Sequence, residues 1–126
     1  MKKILITGAN SYIGTSFEKY IKENFANRFQ VDTIDMIDGS WREKSFAGYD
    51  VVYHVAGIAH SDNGKISAEK EKLYRSVNTD LTVETAKKAK ADAKAKLEAD
   101  KKAEELEKAA TAEDKKAMEA AAAQNE

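Results

Sequence analysis

Between residues 4 and 14 the chain reads I-L-I-T-G-A-N-S-Y-I-G, an apolar run broken by Gly8 and followed by Gly14. Glycine at the first position permits a tight turn, and glycine at the second lets a helix pack closely on the preceding strand. The amides around Tyr12 and Ile13 would then point out of a helix N-terminus, where a pyrophosphate is held by unpaired N–H groups and the helix dipole. Gly8, Asn10, Ser11, Tyr12, Ile13 and Gly14 are therefore the candidate phosphate-contacting residues. Asp35 lies beyond the first helix, at the end of a second apolar run, where a carboxylate accepts hydrogen bonds from both ribose hydroxyls. The same carboxylate repels a 2′-phosphate, which favours NAD over NADP. A βα turn whose glycines serve only steric ends is the competing reading.

The elements that must position these residues can be read from hydrophobic period. Lys3 to Thr7 reads as a buried strand, and Ile13, Phe17, Ile21 and Phe25 recur at helical spacing over a helix from Tyr12 to Asn24. Val31 to Met36 and Val51 to Val55 read as further strands, with a very short one over Gly39 to Trp41 between them. Ser67 caps a last helix that carries Leu73, Val77 and Leu81 on one stripe. Strand alternating with helix implies an α/β fold with a parallel sheet.

Composition changes near residue 85, which divides the chain into a globular part, 1–85, and an extension, 86–126. All six glycines precede the break. The 41 residues after it include 15 Ala, 10 Lys and 10 Asp or Glu, so they read as a solvated Ala/Lys/Glu helix whose charges cancel. Leu97 and Leu106 fall on opposite faces of such a helix, which leaves no coiled-coil seam. Thr111 and Asp114 have the spacing of a capping box, which predicts a break near Ala110. A spacer or solubilising cap is the role this segment suits, and its abrupt junction with the globular part reads as engineered, with natural truncation the other origin.

Three segments resemble the NAD-dependent epimerase/dehydratase family, the extended short-chain dehydrogenase/reductases that act on nucleotide sugars. They are T-G-A-N-S-Y-I-G from Thr7, D-V-V-Y-H-V-A-G from Asp50 and Y-R-S-V-N-T-D-L-T from Tyr74, and the likeness covers roughly residues 1–91. It implies a partial Rossmann-like parallel sheet of order 3-2-1-4, NAD as cofactor, Ala56 and Gly57 on the nicotinamide side, and a structural role for Asn78. Ser11 stands where that family usually has glycine, so either the cofactor shifts or the hydroxyl becomes a phosphate ligand. The family's catalytic Tyr-x-x-x-Lys has no counterpart, since no Tyr here has Lys four residues after it. The resemblance therefore implies an NAD(H)-binding half-domain with little or no turnover alone. A scaffold without ligand, and one part of an enzyme completed by another chain, are the alternatives.

The remaining features bound the partners. A net charge of −1 over 126 residues favours neither nucleic acid nor an anionic membrane. No apolar run is long enough to span a bilayer or serve as a signal peptide, so a cytoplasmic chain is expected. There is no Cys, and His60 with Asp62 lacks the further ligands a metal needs. His54 suits a packed, hydrogen-bonded role rather than catalysis, and Trp41 suits either adenine stacking or burial. A sheet that ends at Val51 to Val55 exposes an apolar strand, which predicts self-association through this edge or a tail helix folded over it.

Overall fold

The computed structural model describes residues 1–58 and 67–124. It is an α/β structure with a three-stranded parallel sheet and a long C-terminal helix. Strand β1 (Lys2–Thr7) leads into helix α1 (Tyr12–Asn24), then come strand β2 (Phe29–Ile34) and strand β3 (Val51–His54). Helix α2 (Ala68–Tyr74), a π-helical stretch (Arg75–Asp80) and helix α3 (Leu81–Gln124) complete it. The chain forms two compact units, Met1–Ala93 and Lys94–Glu126.

The sheet order is β2-β1-β3, with Ile4 opposite Val31 on one side and Val51 on the other. Alternation along β1 feeds two hydrophobic layers. Ile6 faces α1, since a Cβ on Gly14 would lie 3.3 Å from its Cγ2. Leu5, fully buried, points the other way into a cluster with Met36, Trp41 and Phe46, on which Ile34, Val52, Leu81 and Ala89 pack. On the α1 side Phe17 and Tyr53 rings meet at 4.8 Å between centroids. β3 starts with a reciprocal pair, Asp50 N to Lys3 O and Lys3 N to Asp50 Oδ2, both 2.8 Å.

The strand expected over Gly39–Trp41 is instead part of a 3-10 turn, Gly39–Glu43. Asp38 caps it by accepting from Ser40 N at 2.8 Å, and Trp41 swings under the sheet to 1 % exposure. A carboxylate that captures the backbone two residues ahead diverts the chain from a ladder. Among the described residues the sheet accordingly has three strands, and the 3-2-1-4 order is not confirmed. β2 also begins earlier than its apolar run suggests, because pairing starts at Lys2 opposite Phe29, and it ends at Ile34.

Ser67 caps α2 as its sequence predicts, accepting from Lys70 N. The single stripe of Leu73, Val77 and Leu81 does not survive the π-helical turn between them. An i→i+5 turn rotates α3 relative to α2, so Leu81 reaches the core while Leu73 stays 52 % exposed. In the second unit the predicted break near Ala110 is absent. Thr111 Oγ1 donates back to Glu107 O at 2.9 Å, a bond that keeps the hydroxyl inside the helix instead of capping a new one. Leu97, Leu106 and Met118 are exposed, and i,i+4 pairs such as Lys96–Asp100 and Lys108–Glu104 lie along the helix surface. No helix among the described residues is long and apolar enough to cross a membrane.

Candidate functional site

The turn after β1 is built on left-handed backbone at Gly8 (φ +90°) and Asn10 (φ +70°), which asparagine tolerates better than most residues. Gly8 N and Ala9 N both donate to the carbonyl of Ile34, at 2.9 and 3.1 Å, which ties the turn to the end of β2. Ser11 is the N-cap of α1. Its Oγ accepts from Gly14 N at 3.0 Å, and its carbonyl accepts from Thr15 N. The Ser11 hydroxyl therefore serves the helix first, and its proton is not used in that bond. Tyr12 and Ile13 open the helix, so their amides precede its first internal bond, and no acidic side chain lies in this turn to compete for them. Both side chains are exposed.

Two glycine positions are sterically forced. A Cβ on Gly8 would meet Ala56 N at 2.9 Å and Ala56 Cα at 3.0 Å, and one on Gly14 would meet Ser11 Oγ at 2.7 Å and Gly8 O at 3.1 Å. The turn after β1 thus lies directly against the segment after β3. Val55 N donates to Thr7 O at 3.3 Å beside that contact. Asp35 directly follows β2, exposed, with Oδ1 accepting from Ile37 N at 2.9 Å. The predicted residues are therefore distributed over the C-terminal ends of all three parallel strands: Gly8 to Gly14 after β1, Asp35 after β2, Ala56 and Gly57 after β3.

Asn78, in the π-helical turn, fixes the last of these segments. Its Oδ1 accepts from Ile58 N at 2.7 Å and its Nδ2 donates to Ile58 O at 2.9 Å, and a Cβ on Gly57 would crowd the same oxygen at 3.1 Å. A side-chain amide that satisfies both polar groups of one residue acts as a short piece of sheet. This is the structural role expected of it.

His54 is held between hydroxyls, Thr7 Oγ1 at 2.6 Å from Nδ1 and Thr82 Oγ1 at 3.1 Å from Nε2. Thr82 donates its own proton to Asn78 O, so it accepts from His54, which assigns the ring proton to Nε2 and makes Nδ1 the acceptor for Thr7. Burial lowers its pKa below the usual histidine value. The packed, hydrogen-bonded reading of this residue holds. His60 and Asp62 lie outside the described residues, and among those described no cluster of potential ligands could hold a metal.

A half-open cavity of about 230 Å³ adjoins the end of β2. Met36, Ile37 and Trp41 line it from the sheet side, and Val77, Asp80 and Leu81 from the helical side. Arg42 and Glu84 meet at its wall, Nε donating to Oε1 and Nη2 to Oε2, the latter at 2.9 Å. Hydrogen bonding between them raises the Arg42 pKa and lowers that of Glu84. Of the two readings for Trp41 the structure selects burial. The helical spacing of Ser76, Asp80 and Glu84 is visible in the sequence, but their partner is not, because the turn that brings Arg42 to them is too short and has too few apolar residues to show a period. No protein-family model, curated protein or solved structure matches the chain.

Proposed function

We propose that the Met1–Ala93 unit is an NAD(H)-binding half-domain of Rossmann type, related in its binding turn to the nucleotide-sugar epimerase/dehydratase family. The observation that carries this is the switch point: β1 continues to β2 on one side, the chain returns to β3 on the other, and the glycine turn sits between at the strands' C-terminal ends. Ligands of open parallel sheets bind in that crevice. The unpaired helix amides would take the pyrophosphate, Asp35 the ribose hydroxyls, and the cavity beside Met36 and Ile37 the adenine. Ala56 and Gly57 would lie towards the nicotinamide. In this reading the three strands correspond to the 2-1-4 part of the Rossmann order, with Gly39–Glu43 in place of strand 3.

No turnover is expected from the chain alone. Proton transfer by a positioned acid or base contributes roughly 10²- to 10⁴-fold to such reactions, and the sequence lacks the Tyr-x-x-x-Lys that would supply it. Nicotinamide fluorescence excited through Trp41, the single tryptophan, tests binding. Saturation with NADH below millimolar concentration is expected; a linear response through that range refutes the proposal. Self-association through β3 is the second part of the reading, supported by Val51 and Tyr53 at 48 % and 37 % exposure on a strand whose partner, among the described residues, is β1 alone.

A further inference from the structure

The cavity at the end of β2 has a charge arrangement that NAD binding by itself does not require. Asp38, Asp80 and Glu84 line it, and Arg42 is the one cation among the lining residues. Arg42 is restrained on two sides. Its guanidinium carbon lies 4.6 Å from the Trp41 ring centre, and two of its nitrogens form a fork-to-fork pair with the Glu84 carboxylate. Such a pair occupies the Nε–Nη2 edge, one of the two edges at which a guanidinium offers two parallel donors to a phosphate, and neutralises much of its charge. Glu84 reaches Arg42 from α3, one helical turn after Asp80, so the restraint joins segments far apart in the chain. Gly39 leaves room for the arrangement, since a Cβ there would lie 3.2 Å from Arg42 Nη1.

We infer that Glu84 is a selectivity residue: by holding Arg42 it makes the cavity refuse a 2′-phosphate, and removing its charge turns Arg42 into a 2′-phosphate ligand. The inference rests on the NAD reading above. Three carboxylates against one already-paired guanidinium give the cavity an excess of negative charge, and Asp35 adds another at the same end of the sheet. A dianionic phosphate meets repulsion from all of them and would have to share Arg42 with Glu84, which holds the Nε–Nη2 edge. Without Glu84, one repulsive charge disappears, the Arg42 charge is no longer neutralised, and its Nε–Nη2 edge becomes available at the same place.

Calorimetry with adenosine 5′-monophosphate and adenosine 2′,5′-bisphosphate tests this without a nicotinamide. The measured quantity is the ratio of the two affinities. Glu84→Gln raises the bisphosphate-to-monophosphate ratio roughly tenfold over the starting chain, as expected when one charge of a half-exposed pair is removed beside a dianion. Glu84→Ala, which removes the acceptor as well, raises it at least as far. Arg42→Ala added to either variant returns the ratio to its starting value. Both side chains are about half exposed, so circular dichroism should report an intact fold. A ratio within twofold of the starting value in both Glu84 variants overturns the inference, as does a gain that survives Arg42→Ala. NADH binding by the starting chain is measured alongside. If NADH binds and the ratio does not move, only the selectivity role falls; if NADH does not bind, both fall.

Discussion

Replacing Gly8 by alanine tests the contact on which the candidate site depends, and Gly48 supplies its control. Both glycines have left-handed backbone, φ +90° and +87°. An L-residue held there costs roughly 1–2 kcal/mol. Around Gly48 nothing lies within 4 Å of the added Cβ, so Gly48→Ala should cost about that amount and no more. At Gly8 the Cβ meets Ala56 N at 2.9 Å and Ala56 Cα at 3.0 Å, which are backbone atoms that no rotamer change can move. Relief requires the segment after β3 to shift, and forced overpacking of this kind costs roughly 1–3 kcal/mol. Gly8→Ala should therefore destabilise by about 2–5 kcal/mol, and the difference between the two variants measures the close approach alone. Urea unfolding followed by Trp41 fluorescence is a suitable assay, since that side chain is 1 % exposed in the core. Equal losses in the two variants, within about 0.5 kcal/mol, would show that the turn does not abut β3.

Asp35→Ala should weaken NADH binding more than NADPH binding, because it removes the ribose acceptor and a charge that repels the 2′-phosphate; equal losses in parallel titrations would contradict the ribose assignment. His54 is partly buried and its pKa is lowered by desolvation, so its contribution to stability is complete above the unfolded value of about 6.5 and declines as pH falls from there towards the folded pKa. Urea midpoints measured from about pH 7.5 to 5 should fall less steeply in His54→Gln than in the starting chain, and parallel curves would exclude the ring as a source of the slope. Asn78→Ala strands both polar groups of Ile58, which lie near solvent, and should cost about 1–2 kcal/mol in the same unfolding assay. Light scattering at two concentrations should give a rising mass for the chain and a constant monomer mass for Val51→Lys, since a charge on an open strand opposes pairing; a monomer in both cases removes the edge from the proposal.

Elements set by local rules are legible from the residues. α1 starts and stops where its apolar period places it, and α2 starts where the Ser67 cap places it, whereas the capping role of Ser11 emerges only from the structure. β1 and β3 lie within a residue of their apolar runs. The Gly39–Glu43 turn is not legible because three residues carry too little period to separate a strand from a capped turn, and Asp38 decides it through a single hydrogen bond. Thr111 fails in the opposite direction: its spacing to Asp114 permits a capping box, but a helix already formed on both sides offers Glu107 O as the nearer acceptor. At the candidate site, the glycines and Asp35 are visible as types at a spacing. The Arg42–Glu84 pair is not, because it forms between side chains 42 positions apart that become neighbours only after the sheet and α3 have packed.

The central place of β1 governs the order in which the sheet can assemble. Ile4 pairs with Val31 and Val51, so the earliest of the three strands in the sequence is completed last, with one partner from the next strand and the other from well beyond it. Closing the shorter loop loses less chain entropy, which makes the β1–α1–β2 unit the natural nucleus. Until Val51 to His54 dock, the second flank of Ile4, Leu5 and Ile6 lacks a hydrogen-bonding partner, and the contact between Gly8 and Ala56 cannot exist. A nascent chain thus acquires its glycine turn early and the crevice late, and the interval between the two is when the strand it buries most deeply is open to other chains.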